Sequence, residues 1–142
     1  MQQTPPARPR KPLYSVRSIA VGTLLGSLAG GAAMLWLNYR NLGYPALANR
    51  VAVMGLLFYI ILVGAASLLP NEPLPGVLFI AVQTGIAYWA ASGLQGRAIA
   101  YHQQQGGPMH STLRGALAGF LAGIAVIFVM LTIILILGTG SR

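Results

Sequence analysis

The chain has 142 residues, 56% of them apolar or aromatic and only 7% charged, with nine Lys and Arg against a single acid, Glu72. A water-soluble domain carries about 25% charged residues, so an ordinary soluble fold is excluded. One acid, two His and no Cys also leave too few reactive groups for most active sites and rule out disulfides.

Residues 1–12 form a basic, proline-rich tail ending in Pro5-Pro6-Ala7-Arg8-Pro9-Arg10-Lys11-Pro12. Such a segment is expected to be extended. Its basic groups suit anionic lipid head groups, each contributing about 1 kcal/mol; the other reading is a docking peptide for a proline-recognising groove. A cleaved signal peptide, suggested by Ala29-Gly30-Gly31-Ala32 after an apolar run, fits less well because that run continues at spanning length through Leu37.

From residue 13 to 142 the chain reads as one transmembrane helical domain. Uncharged stretches of 22, 21, 24 and 27 residues separate Arg17 from Arg40, Arg50 from Glu72, Glu72 from Arg97, and Arg114 from Arg142. A helix needs roughly 20 apolar residues to cross a bilayer core about 30 Å thick, and backbone in lipid must be paired internally. The expected fold class is therefore all-α, an integral membrane bundle of four hydrophobic helices over about 18–39, 46–69, 75–105 and 112–138. Gly43 and Pro45 separate the first two helices. The segment Pro70 to Gly76 is a tight turn between the second and third. Gly106-Gly107-Pro108 stops the third, and Ser111 or Thr112 caps the fourth.

Two topologies fit these helices. Four straight crossings, the arrangement favoured by length, put Arg8, Arg10, Lys11, Arg17 and Arg142 on one side and Arg40, Arg50, Arg97 and Arg114 on the other. If the first helix instead re-enters, bending at Gly30-Gly31, all basic residues from Arg8 to Arg114 fall on one side, which satisfies the positive-inside rule far better. Its cost is broken backbone at membrane depth, tolerated only where protein buries it.

Gly22, Gly26 and Gly30 recur at four-residue spacing in the first helix, as do Gly115, Gly119 and Gly123 in the fourth. Each set makes a smooth helix-packing face for close backbone approach. The faces serve either packing within one subunit or self-association as a glycine zipper. Trp36, Tyr39, Tyr44, Tyr88, Trp89 and Tyr101 are expected to form an interfacial belt.

Within the spans, Gln83, Thr23 and Ser27 are the candidate intramembrane polar contacts. Gln83 is expected to hydrogen-bond between helices, and Thr23 and Ser27 to bond back to their own helix. No ionisable group lies inside a span, which counts against proton-coupled transport. Catalytic, cofactor and metal sites are not expected: there is no Asp for a hydrolytic triad, and His102 and His110 lack further ligands. Basic residues flank the spans rather than forming one soluble face, so nucleic acid is not an expected partner.

The segment Leu13-Tyr14-Ser15-Val16-Arg17 leading into Gly22-Thr23-Leu24-Leu25-Gly26, followed by Ala29-Gly30-Gly31 and Asn38-Tyr39-Arg40-Asn41-Leu42-Gly43, resembles a group of small uncharacterised bacterial multipass membrane proteins, a domain of unknown function. Leu94-Gln95-Gly96 with Ile99, His102 and Gly106-Gly107 resembles a second block of that group, and the two blocks cover about a third of the chain. The resemblance implies an integral inner-membrane location and transfers no site. The expected function is that of a non-catalytic accessory or interaction subunit packing through glycine faces, with the lipid bilayer, a second copy or another membrane protein as partner. The alternative is a small oligomeric transporter or channel subunit, with Gln83 and the Thr23/Ser27 face lining its path.

Overall fold

The computed structural model describes residues 11–66, 68 and 73–139. It contains four helices, α1 (Val16–Asn41), α2 (Pro45–Ala66), α3 (Pro73–Gln104) and α4 (Thr112–Thr139). All four are long and apolar enough to cross a membrane. The tail up to Arg10 and the Pro70, Asn71 and Glu72 part of the expected Pro70–Gly76 turn lie outside the described residues, and the rest of that segment is the start of α3. Helix α3 begins at Pro73, earlier than expected, because proline in a first turn forgoes only an N–H that has no intrahelical partner there. Gly43 (φ 87°) and Gly106 (φ 68°) take the left-handed conformation in the turns after α1 and α3.

Helix α1 is broken in its middle. Gly26 (φ −125°, ψ 16°) and Ser27 (φ 67°, ψ 176°) leave helical geometry, and the two arms on either side run antiparallel. In a straight helix Tyr14 and Asn38 would stand about 36 Å apart. Instead the Tyr14 backbone N–H donates to Asn38 Oδ1 at 2.8 Å, and Asn38 Nδ2 donates to the Tyr14 carbonyl at 2.9 Å. Deeper in the hairpin, Gly30 lies against the Gly22 carbonyl and Gly31 against the Thr23 side chain. The reversal is thus at Gly26-Ser27 rather than at Gly30-Gly31. Residues 30 and 31 remain helical, and their missing side chains make room for the first arm.

A non-glycine residue at positive φ is costly, on the order of 1–3 kcal/mol, and persists only where its surroundings hold it. Here they do. Gly22, Thr23, Gly26, Leu28, Gly30 and Gly31 are all buried, so the interrupted backbone is enclosed by protein. The α1 hairpin is the hub of the fold: α2, α3 and α4 each pack on it. More than half of its apolar stretch is buried, against very little of α2 or α4. The core accordingly combines α1 residues such as Ile19, Met34 and Leu35 with Ala91 of α3.

Candidate functional site

Breaking a helix exposes the N–H groups of the arm that restarts. Leu28 opens the second arm of α1, and its N–H donates to Gln83 Oε1 of α3 at 3.0 Å. Gln83 is itself buried, so its amide oxygen meets a backbone donor that has no helical carbonyl to use. An interhelical bond of this kind in a membrane contributes about 1 kcal/mol. Thr23 Oγ1 donates to the Ile19 carbonyl at 2.9 Å, closing back on its own helix. Ser27 departs from that expectation: its Oγ is buried and finds no hydrogen-bond partner among the described residues. Its positive φ takes it out of the helix, away from the carbonyl four residues back that Thr23 uses.

The glycines of α4 lie along the α1 hairpin. A Cβ on Gly119 would collide with the Gly22 backbone, and one on Gly26 with the Gly119 carbonyl. A Cβ on Gly123 would stand 2.9 Å from Gly26 Cα, one on Gly30 3.0 Å from Gly119 Cα, and one on Gly115 2.8 Å from Ser18 Cβ. These six positions therefore meet within one chain, backbone against backbone, on both sides of the break.

At the opposite end of the hairpin from the break, a second polar cluster ties the ends of α1 to α3. Asn38 Nδ2 also reaches Gln95 Oε1 at 3.0 Å, and Gln95 Nε2 donates to the Leu35 carbonyl at 2.8 Å. Asn38 and Gln95 are fully enclosed. Residues just before α1 form an extended strap: Leu13 N–H donates to the Pro108 carbonyl, the His110 N–H donates to the Leu13 carbonyl, and Asn41 Nδ2 donates to the Pro12 carbonyl. His102 Nε2 lies 3.1 Å from the Pro108 carbonyl. The cluster draws on Tyr14, Asn38, Gln95 and His102. Asn38 and Gln95 are functional-site candidates that sequence reasoning passed over, because each sits near a helix end where a polar residue needs no special explanation.

The His110 ring packs at a tilt against Tyr14 with ring centroids 4.3 Å apart, and its Nδ1 is buried without a hydrogen-bond partner among the described residues. Burial, reinforced by the nearby Arg114 guanidinium, pushes its pKa below the ordinary 6.5. The neutral ring is thus favoured in the folded state, and its stabilising contribution is complete above pH 6.5 and lost as the pH falls below that value. The melting temperature in detergent should decline between pH 7 and pH 5, and the decline should be shallower in His110→Gln. Identical slopes in the two proteins would rule out this coupling.

The aromatic residues divide. Tyr44, Tyr88, Trp89 and Tyr101 are exposed, as an interfacial belt requires. Tyr39 departs from the expected belt: it is buried, and its hydroxyl donates to the Leu94 carbonyl at 3.2 Å. Its apolar body fits between α1 and α3, where the hydroxyl can reach a backbone acceptor. Among the described residues no group of three or more His, Cys, Asp or Glu gathers to hold a metal. Gln83, Asn38 and Gln95 all bond to the chain's own backbone. The chain matches no protein-family model, no curated protein and no solved structure.

Proposed function

We propose that this protein is a non-catalytic integral membrane subunit of the bacterial inner membrane, with α2, α3 and α4 crossing the bilayer and the α1 hairpin re-entering from the cytoplasmic side. The observation that carries this reading is the commitment of the interior amides of Gln83, Asn38 and Gln95 to the fold. Gln83 caps the broken helix, and Asn38 and Gln95 pin its two ends. The glycine faces of α1 and α4 are likewise occupied by each other. What the fold leaves open is an apolar exterior, including Met54, Leu57 and Ile61 of α2 and Phe128 of α4.

Orientation follows from charge. Arg17 and Arg40 lie near the joined ends of α1, Arg50 in the second turn of α2, Arg97 two turns from the end of α3, and Arg114 in the first turn of α4. With α1 doubled back, these positions share one end of the bundle, the distribution that the positive-inside rule assigns to the cytoplasm.

An accessory subunit moves no solute and engages a partner through its exterior. Proteoliposomes containing the protein should pass ions and small solutes at the empty-vesicle rate. A photo-crosslinking residue at Met54, which is 71% exposed, should yield one discrete adduct with a foreign membrane protein. Flux above the empty-vesicle rate, or only self-crosslinked ladders, would overturn the assignment in favour of an oligomeric channel or transporter.

A further inference from the structure

An open groove of about 720 Å³ runs along the outside of the α1 hairpin, between α2 and α4. Its floor is Ala29, Ala32 and Ala33 of the second α1 arm, and its walls include Ala52 and Val63 of α2 and Val126 of α4. The volume falls within the 300–1,000 Å³ typical of small-ligand sites. The lining is almost wholly apolar. The small side chains on the floor hold α2 close at one point, where Gly55 meets Ala32, and leave the remaining width open.

Length and charge decide what fits. From Ala52 to Val63 the α2 wall rises about 16 Å at 1.5 Å per residue, close to half of a hydrocarbon core about 30 Å thick. The groove is therefore one leaflet deep. The mouth of the groove is taken as its end nearest the basic end of the bundle, lined by Trp36 and Ala52, where the Arg40 guanidinium stands over the Trp36 ring at 4.9 Å. Arg40 is exposed, and Asn49 lies one turn before Ala52 on the same face of α2, near that helix's amino end, whose dipole favours an anion. The only carboxylate side chain in the sequence is Glu72. No carboxylate side chain lies among the described residues, so this mouth is cationic.

We propose that the groove is a binding site for one anionic glycerophospholipid of the leaflet at the basic end. One acyl chain lies along Ala29, Ala32 and Ala33, and the phosphate sits at Arg40 with Asn49 beside it. The proposal rests on the membrane-embedded reading above and adds the identity of the occupant. An apolar trough alone would take any acyl chain. The cation on Trp36 makes the site selective for head-group charge.

Trp36 and Trp89 are the only tryptophans, so Trp89→Phe leaves a single tryptophan, at the groove mouth, to be excited selectively over the tyrosines. This variant is reconstituted in vesicles of phosphatidylcholine mixed with either brominated phosphatidylglycerol or brominated phosphatidylcholine, and each signal is divided by that with the unbrominated lipid. Quenching should show a preference of about fivefold for the anionic lipid, the size expected of one basic group at an anionic head group. Adding Arg40→Gln should abolish the preference while quenching by both lipids persists. Equal quenching by the two lipids, or a preference that survives Arg40→Gln, would overturn the proposal. So would a Trp36 shielded from both lipids until the protein is diluted in the bilayer, which would mean that a second copy fills the groove. Unchanged elution and melting temperature of the Arg40→Gln variant separate loss of the site from loss of the fold. Wrong sidedness in a labelling experiment would refute the membrane orientation without touching this ratio.

Discussion

In intact cells, a cysteine introduced as Asn71→Cys is expected to react with a membrane-impermeant maleimide, whereas Thr4→Cys, Tyr44→Cys and Gln104→Cys are protected until the membrane is opened. The native chain has no cysteine, so each signal is unambiguous. The expected pattern follows from the reversal of α1. Because Tyr14 bonds to Asn38, the chain enters and leaves α1 at the same end. Tyr44 follows that exit directly, and the α3–α4 connection joins the same end through the bond from Leu13 N–H to the Pro108 carbonyl. A straight α1 gives the opposite result at three of the four sites: Tyr44 and Gln104 would label and Asn71 would not. Labelling of Thr4, Tyr44 and Gln104 together, with Asn71 protected, would keep the re-entrant hairpin and reverse its orientation. The outcome is all-or-none at each site, because an impermeant reagent either reaches a thiol or does not.

The second large effect is expected at the seam between α1 and α4. Gly119→Leu and Gly26→Leu should each lower the melting temperature in detergent by on the order of 10 °C or prevent accumulation of the folded protein, at or beyond the upper end of the roughly 1–3 kcal/mol that overpacking costs. The reason is that both positions face backbone rather than flexible side chains. A methionine methyl can swing aside, but a carbonyl held in a helix cannot. Gly93→Leu makes the control, since among the described residues nothing lies within 4 Å of a Cβ at that position, and it should melt like the wild type. Wild-type melting of both seam variants would show that α1 and α4 do not approach as described. Association in lipid gains nothing from burying apolar surface, so close packing is what holds this seam, and it tolerates little.

Much of this architecture was legible as spacing. Four uncharged stretches of spanning length predicted four helices, and Gly43, Gly106 and the prolines delimited them, because a bilayer imposes a minimum length and left-handed turns favour glycine. Gln83 was legible too: an amide in the middle of a span must find a partner. Its actual partner was not, since a backbone N–H becomes available at Leu28 only after the helix breaks. The polar end was hidden for a related reason. Nothing in the separate segments around Tyr14, Asn38 and Gln95 indicates that they meet, and their meeting depends on α1 reversing direction.

The amino-acid sequence by itself determined that the chain belongs in a bilayer, how many spanning-length helices it forms, and which positions lack side chains that would keep backbones apart. Those properties are local, set by composition and by the rise of a helix. The tertiary structure decided that α1 doubles back, that it does so at Gly26-Ser27, and that the six paired glycines meet within one chain. Hydropathy reports only whether a segment is apolar enough to enter the membrane. Whether it passes through or returns depends on what neighbouring helices offer to a broken backbone, and here Gln83 of α3 and the bare face of α4 supply it.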